Sequence, residues 1–169
     1  MDYTPGIVDL TFDGIDAPHR VQSTIAKELS LYVVLYSPVQ MAADLPENYQ
    51  KHLDAFRFIK LVPTDWDESI GLAGEIGDYV AVARRQRGAP DWYLGALTDE
   101  SPRTLVLPLG FLDPTSRYVA EIWRDGPEAD WKTRPYDMVV EQRPVTSADS
   151  LTLHLAAGGG AAVHFRKAP

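Results

Sequence analysis

The stretch from Val21 to Val39 is apolar on too many sides to be an ordinary surface helix. Val21, Ile25, Leu29, Tyr32, Val33, Tyr36 and Val39 recur at helical spacing, and Leu31, Val34 and Leu35 fill the faces between them. A surface helix carries one apolar stripe; one that is apolar nearly all round must be covered on several sides. Pro38 has no amide hydrogen to continue the ladder and marks the end. "Leu45-Pro46-Glu47" reads as a second helix start, with proline in the first turn and an acid against the dipole. That helix is expected to run to Pro63. Two helices cannot bury such faces alone, so the segment is expected to be the tail of a larger domain. Unless something covers it, the helix around Leu29 to Tyr36 should be exposed and open to self-association.

After Pro63 the helical period disappears. "GDYVAVARR" (77–85), "DWYLGAL" (91–97), "RTLVLPL" (103–109), "RYVAEIWRDG" (117–126), "YDMVVEQ" (136–142), "SLTLHLA" (150–156) and "AAVHFR" (161–166) are short, β-rich and bounded by turn formers. With a strand over 69–75 they make about eight, spaced as in an antiparallel sandwich. Leu151, Leu153 and Leu155 alternate with Thr152 and His154, the period of a half-buried strand. Gly158-Gly159-Gly160 is expected to turn the last two strands into a hairpin; with no helix after it, it is no phosphate-binding loop. The expected fold is mainly β: a C-terminal antiparallel β-sandwich over 64–169, preceded by a helical segment over 1–63.

A formal charge of -8 disfavours phosphate backbones and anionic membranes, so neither nucleic acid nor a membrane surface is an expected partner. The chain has no cysteine, which removes disulfides and thiolate chemistry. Met1 is followed by polar residues rather than a signal peptide, and no apolar run reaches the ~18 residues of a membrane span.

Several stretches resemble one family. "MDYTPG", "LYVVLYSPVQMAADLPENY", "VPTDWDES", "GEIGDYVAVARR", "DWYLGALTDESPRTLVLPLGFL", "AEIWRDGPEADW" and "LAAGGGAAVHF" look, in order, like the C-terminal end of glycoside hydrolase family 97. That family comprises bacterial α-glucosidases and α-galactosidases, many periplasmic, with an N-terminal β-sandwich, a catalytic (β/α)8 barrel, a C-terminal β-domain and an active-site calcium ion. The resemblance implies an oligosaccharide or α-glycoside substrate and a periplasmic or secreted location. It makes "DYTPG" the end of the eighth barrel strand, 20–62 the last barrel helices and 64–169 the C-terminal domain. The calcium-binding glutamates and general acid would then lie upstream. No catalytic residue, metal ligand or bound calcium is expected in this chain alone, which reads as a truncated copy.

On that placement Asp2 and Tyr3 reach the catalytic face of the barrel and can hydrogen-bond sugar hydroxyls; otherwise they organise the turn. Glycoside hydrolysis needs two carboxylates flanking the bond, ~5–5.5 Å apart for retention or ~6.5–9.5 Å for inversion. Asp65, Asp67 and Glu68 form the densest acidic cluster, but in "PTDWDES" they read as a solvated linker, as Asp99 and Glu100 read as a turn. His154 and His164 are expected as neighbours across the final hairpin, and His19 and His52 lie apart in a loop and a helix. Two imidazoles make a weak metal site. Trp92, Tyr93, Trp123, Trp131 and Tyr136 suit either packing or sugar stacking, with Trp131 the best candidate for an exposed position. A carbohydrate-binding or purely structural β-sandwich is the alternative to an enzyme fragment.

Overall fold

A computed structural model describes residues 4–168. Three helices come first, α1 (Ile25–Val34), α2 (Pro46–Lys51) and α3 (Leu53–Leu61). Eight strands follow: β1 (Trp66–Glu75), β2 (Tyr79–Gln86), β3 (Trp92–Thr98), β4 (Arg103–Pro108), β5 (Tyr118–Asp125), β6 (Met138–Val145), β7 (Ser150–Leu155) and β8 (Gly160–Lys167). Six strands form one antiparallel sheet in the order β1-β2-β3-β8-β5-β6, and β4 pairs with β7 in a second sheet. The expected mainly-β, sandwich-like architecture with helices ahead of it is therefore present.

Between the sheets lies one core. Trp92, Leu94 and Ala96 of β3, Ala161, Val163 and Phe165 of β8, and Tyr118, Ala120 and Ile122 of β5 face Leu105 and Leu107 of β4 and Leu151, Leu153 and Leu155 of β7. The three β7 leucines are at most 2% exposed, while Thr152 and His154 face out, as the alternation requires.

A second core lies on the other side of the large sheet. Ile25, Leu29, Tyr32 and Val33 of α1 and Phe58 of α3 pack on Tyr93, Trp123 and Ala162. This corrects the expectation of an exposed helix around Leu29 to Tyr36: Leu29, Tyr32 and Val33 are buried, and within that stretch only Tyr36 is exposed. The physical reason is that the central strands are apolar on both faces. β3 and β8 are buried almost continuously instead of alternating, so the sheet itself supplies the cover. Small residues let the helix come close. A Cβ at Gly95 would stand 2.6 Å from the Ser30 carbonyl oxygen, so only glycine admits α1 there.

Both ends of α1 are tied to the sheet. Thr24 caps its N-terminus by accepting from the Lys27 amide and donates its hydroxyl to Asp125 Oδ1 at 2.6 Å. Asp125 Oδ2 accepts the amides of Ala156 and Gly160, both at 2.8 Å. Burial pushes the Asp125 carboxyl up to about 6, against the pull of those donors and of Lys27. At the C-terminus Arg84 donates from Nε to the Val33 carbonyl at 2.6 Å and from Nη2 to that of Val34 at 3.3 Å.

Three local expectations change. α1 stops at Val34 because the Pro38 ring would strike the carbonyl four residues earlier, which is that of Val34. The second helix is broken at His52 (φ -131°), whose ring stacks on Tyr136 at 4.9 Å. The triple glycine is no hairpin: β7 belongs to the small sheet and β8 to the centre of the large one, so the glycines carry the chain between layers. His154 and His164 are consequently not paired. His154 Nδ1 lies 2.9 Å from Thr104 Oγ1, and His164 Nε2 lies 3.0 Å from Asp91 Oδ2.

Leu153→Ala is expected to lower unfolding free energy by about 2–5 kcal/mol, the usual cost of a cavity at a buried leucine. His154→Ala is expected to change it by under ~0.5 kcal/mol. Urea melts of both variants check the register of β7; a larger loss for His154→Ala would reverse its two faces.

Candidate functional site

Asp2 and Tyr3, the sequence-predicted binding residues, lie outside the described residues. The backbone that follows them is described, and it is fixed by polar side chains of the helical segment. Asp44 Oδ2 accepts the amides of Val8 at 2.8 Å and Asp9 at 2.7 Å. Its Oδ1 accepts the Leu45 amide at 2.7 Å and Asn48 Nδ2 at 2.6 Å. Tyr49 donates its hydroxyl to the Gly6 carbonyl at 2.7 Å and accepts the Asp44 amide at 3.1 Å. The Ala43 amide donates to the Pro5 carbonyl at 3.1 Å, and the Tyr32 hydroxyl reaches the Pro5 and Met41 carbonyls at 3.2 and 3.1 Å. The stretch "QMAADLPENY" thus turns its polar groups back onto residues 5–9. Sequence reasoning missed Asp44, Tyr49 and Tyr32. The signal was there, in polar side chains flanking a helix start that does not use them as its N-cap: Leu45 holds that position.

Residues 11–20 form a loop closed at its neck by the Val21 amide donating to the Leu10 carbonyl at 3.2 Å. The Thr11 amide donates to the Tyr136 hydroxyl at 3.2 Å. Arg20, 9% exposed, donates from Nη1 to the Ile15 carbonyl at 2.6 Å and to that of Lys132 at 2.9 Å, tying the loop to the β5–β6 connection.

The other candidates serve structure. Arg87 pairs with Asp65 at 2.6 Å and with Asp67 at 3.4 Å, and Arg85 lies 3.5 Å from Glu68, so the acidic cluster is neutralised at the surface. Asp99 accepts the Ser101 amide at 2.9 Å within its turn. Trp92, Tyr93 and Trp123 are core residues, and Trp123 Nε1 donates to the Asp54 carbonyl at 2.9 Å. Tyr136 and Trp131 are half-buried. Burial raises the carboxyls of Asp125 and Glu28 above their ordinary range. A raised carboxyl suits a general acid, but Asp125 is 2% exposed and both its oxygens accept protein donors. Among the described residues no group of three or more His, Cys, Asp or Glu side chains is gathered to hold a metal ion, and no helix is long and apolar enough to cross a membrane.

Asp44→Ala should free the Val8 and Asp9 amides and lower their hydrogen-exchange protection roughly tenfold, the worth of one or two hydrogen bonds. Burial works to raise the Asp44 carboxyl, but the bonds from Asn48, Asp9, Leu45 and Val8 outweigh it and hold it below its ordinary 3.8. The clamp is therefore fully present above pH 3.8 and is lost only as the pH falls through the lower folded value. Unchanged protection in the variant would show that the clamp does not hold the segment.

Comparison with known proteins agrees with this geometry. Residues 65–166 match the family described as glycosyl-hydrolase 97 C-terminal, oligomerisation. A retaining α-galactosidase of Bacteroides thetaiotaomicron is 38% identical over 98% of the chain, and a probable retaining α-galactosidase of Streptomyces bingchenggensis is 31% identical over 98%. The chain spans about a quarter of the length of these curated relatives, 25% and 24%. A family 97 enzyme from Pseudoalteromonas sp. strain K8, solved in complex with acarbose and as a variant with panose, superposes with a TM-score of 0.98 at 52% identity. It is matched over 100% of this chain and 26% of its own. In sequence and in fold, the chain belongs to glycoside hydrolase family 97, as a C-terminal portion of it.

Proposed function

We propose that this chain is the C-terminal part of a retaining α-glycoside hydrolase, of α-galactosidase or α-glucosidase type, acting on α-linked oligosaccharides. The observation that carries the reading is the clamp on residues 5–9. One carboxylate and two phenols hold the backbone directly after Asp2 and Tyr3, where a loop following a barrel strand would line the substrate face. In this reading Asp2 and Tyr3 hydrogen-bond sugar hydroxyls. The two carboxylates of a retaining mechanism, ~5–5.5 Å apart, come from residues preceding this chain. The relatives' names support the substrate class.

The helix–sheet unit is proposed to brace the barrel. Val39, Met41, Leu45 and Leu53 are 54–69% exposed, an apolar strap left open among the described residues. Burying each such side chain is worth roughly 1.5–3 kcal/mol, and the upstream barrel is the proposed cover. In the chain alone the same strap, with Tyr36, is proposed to drive self-association in place of the buried turns of α1. The word oligomerisation in the matched family's description belongs to residues 65–166, which follow the strap. Calcium is proposed to bind upstream, since the described residues gather no fitting donor set, and no step is assigned to it here. A periplasmic or secreted location is proposed from the resemblance.

The test is an assay with aryl α-galactoside and α-glucoside on two proteins: the 169-residue chain, and the protein extended upstream to the length of its relatives. The longer protein should hydrolyse one of them with retention, read by NMR of the first-formed anomer, and the chain alone should not. Turnover by the chain alone that survives purification and vanishes with an Asp65 or Glu68 substitution would overturn the reading, as would an inactive longer protein.

A further inference from the structure

We propose that the groove between residues 15–22 and the Trp131–Thr133 turn is a binding subsite for a neutral hexose unit of an α-linked oligosaccharide. The choice of sugar rests on the family reading above; the groove itself stands on its own geometry. It encloses about 320 Å³ and adjoins a second hollow of about 160 Å³, and Trp131 and Gln22 line both. Together they are within the size range of small-molecule sites.

The groove is built in advance of any ligand. One wall is fixed by Asp130, whose Oδ1 accepts the amides of Lys132 at 2.8 Å and Thr133 at 3.0 Å. The Trp131 amide donates to the Ala157 carbonyl at 3.3 Å. Arg20 Nη1 ties this wall to the other through the Lys132 and Ile15 carbonyls. Gly158 (φ +62°) makes room for the indole: a Cβ there would stand 2.7 Å from Trp131 Cδ1. Little ordering cost is left for a ligand to meet.

Its chemistry suits a sugar. Trp66, Trp92 and Trp123 are buried in the cores, whereas Trp131 is half-buried at the groove. The Trp131 ring has Arg20 Cζ over it at 5.7 Å and Lys132 Nζ at 5.1 Å. A pyranose C–H patch meets the indole surface open to the groove by displacing the Lys132 side chain, and Gln22 supplies a donor and an acceptor for its hydroxyls. The charges lining the two hollows cancel, with Arg20, Lys27 and Lys132 against Asp16, Asp99 and Glu100. A phosphate or a charged peptide would find no net field, and a polyhydroxylated neutral ligand needs none. Arg20 is nine-tenths buried, and its Nε and Nη2, which share one edge of the guanidinium, have no hydrogen-bond partner among the described residues. Buried donors without acceptors are rare and costly. That edge is closed to solvent, so the hydrogen bonds open to a sugar in the groove come from Gln22.

Because the other three tryptophans are buried, acrylamide quenching of the 169-residue chain reports mainly on Trp131. Panose and melibiose are titrated separately, with acyclic sorbitol as the control. Saturable protection by either sugar, absent with sorbitol, is the expected result. Gln22→Ala should weaken that protection roughly tenfold, the worth of one or two hydrogen bonds. In saturation-transfer NMR, Trp131→Ala should lose the sugar C–H signals while its thermal melt stays cooperative. No saturable protection, equal protection by sorbitol, or sugar signals that persist in Trp131→Ala would each overturn the subsite. None of these outcomes bears on the hydrolase reading, which the assay of the longer protein decides separately.

Discussion

The structure depends on the seating of one short helix, α1, against the outer face of the six-stranded sheet. Ile25, Leu29, Tyr32 and Val33 of the helix and Tyr93, Trp123 and Ala162 of the sheet form one buried surface, so neither partner is satisfied without the other. Polar contacts set its register. The Thr24–Asp125 hydrogen bond fixes one end and the Arg84 guanidinium the other, and Gly95 sets how closely the helix can lie. Asp125 also holds the connection between β7 and β8 through two amides. A single buried carboxylate thereby ties the helix start, the end of β5 and the crossing between sheets to one point.

Everything proposed for function hangs on that seating. With α1 fixed, Tyr32 and the following strap are fixed, and Asp44 and Tyr49 can hold the backbone of residues 5–9. The loop at 11–20 is then held between this clamp and the β5–β6 connection by Arg20. In that proposal the β-domain serves a substrate site by holding a loop, without lending its own acids. Asp65 pairs with an arginine, Asp99 closes a turn and Asp125 accepts backbone amides.

Much of the fold was legible in the sequence because it rests on local rules. The alternation in "SLTLHLA" placed three leucines in the core, and Pro46 marked a helix start. The cover of α1 was misread because a both-sides-buried strand has no alternation to betray it. "DWYLGAL" reads as a strand, but nothing local says that Tyr93 and Gly95 face a helix sixty residues earlier. The triple glycine was misread for a related reason: a turn former announces a change of direction, not which sheet receives the next strand. The clamp at Asp44 was within a stretch already singled out by resemblance and its polar side chains flank a helix start that does not use them, but which distant backbone groups they hold leaves no mark in a sequence. Arg20 and Trp131 meet only through the third dimension.

The central claim is that α1 and the sheet form one cooperative unit. Native-state hydrogen exchange in increasing denaturant tests it most directly, by comparing the amides of Leu29 to Val33 with those of Leu94 and Val163. The account predicts that both sets converge on a single opening free energy equal to that of global unfolding. Exchange of the α1 amides through a separate, lower-energy opening, with the sheet still protected, would contradict it.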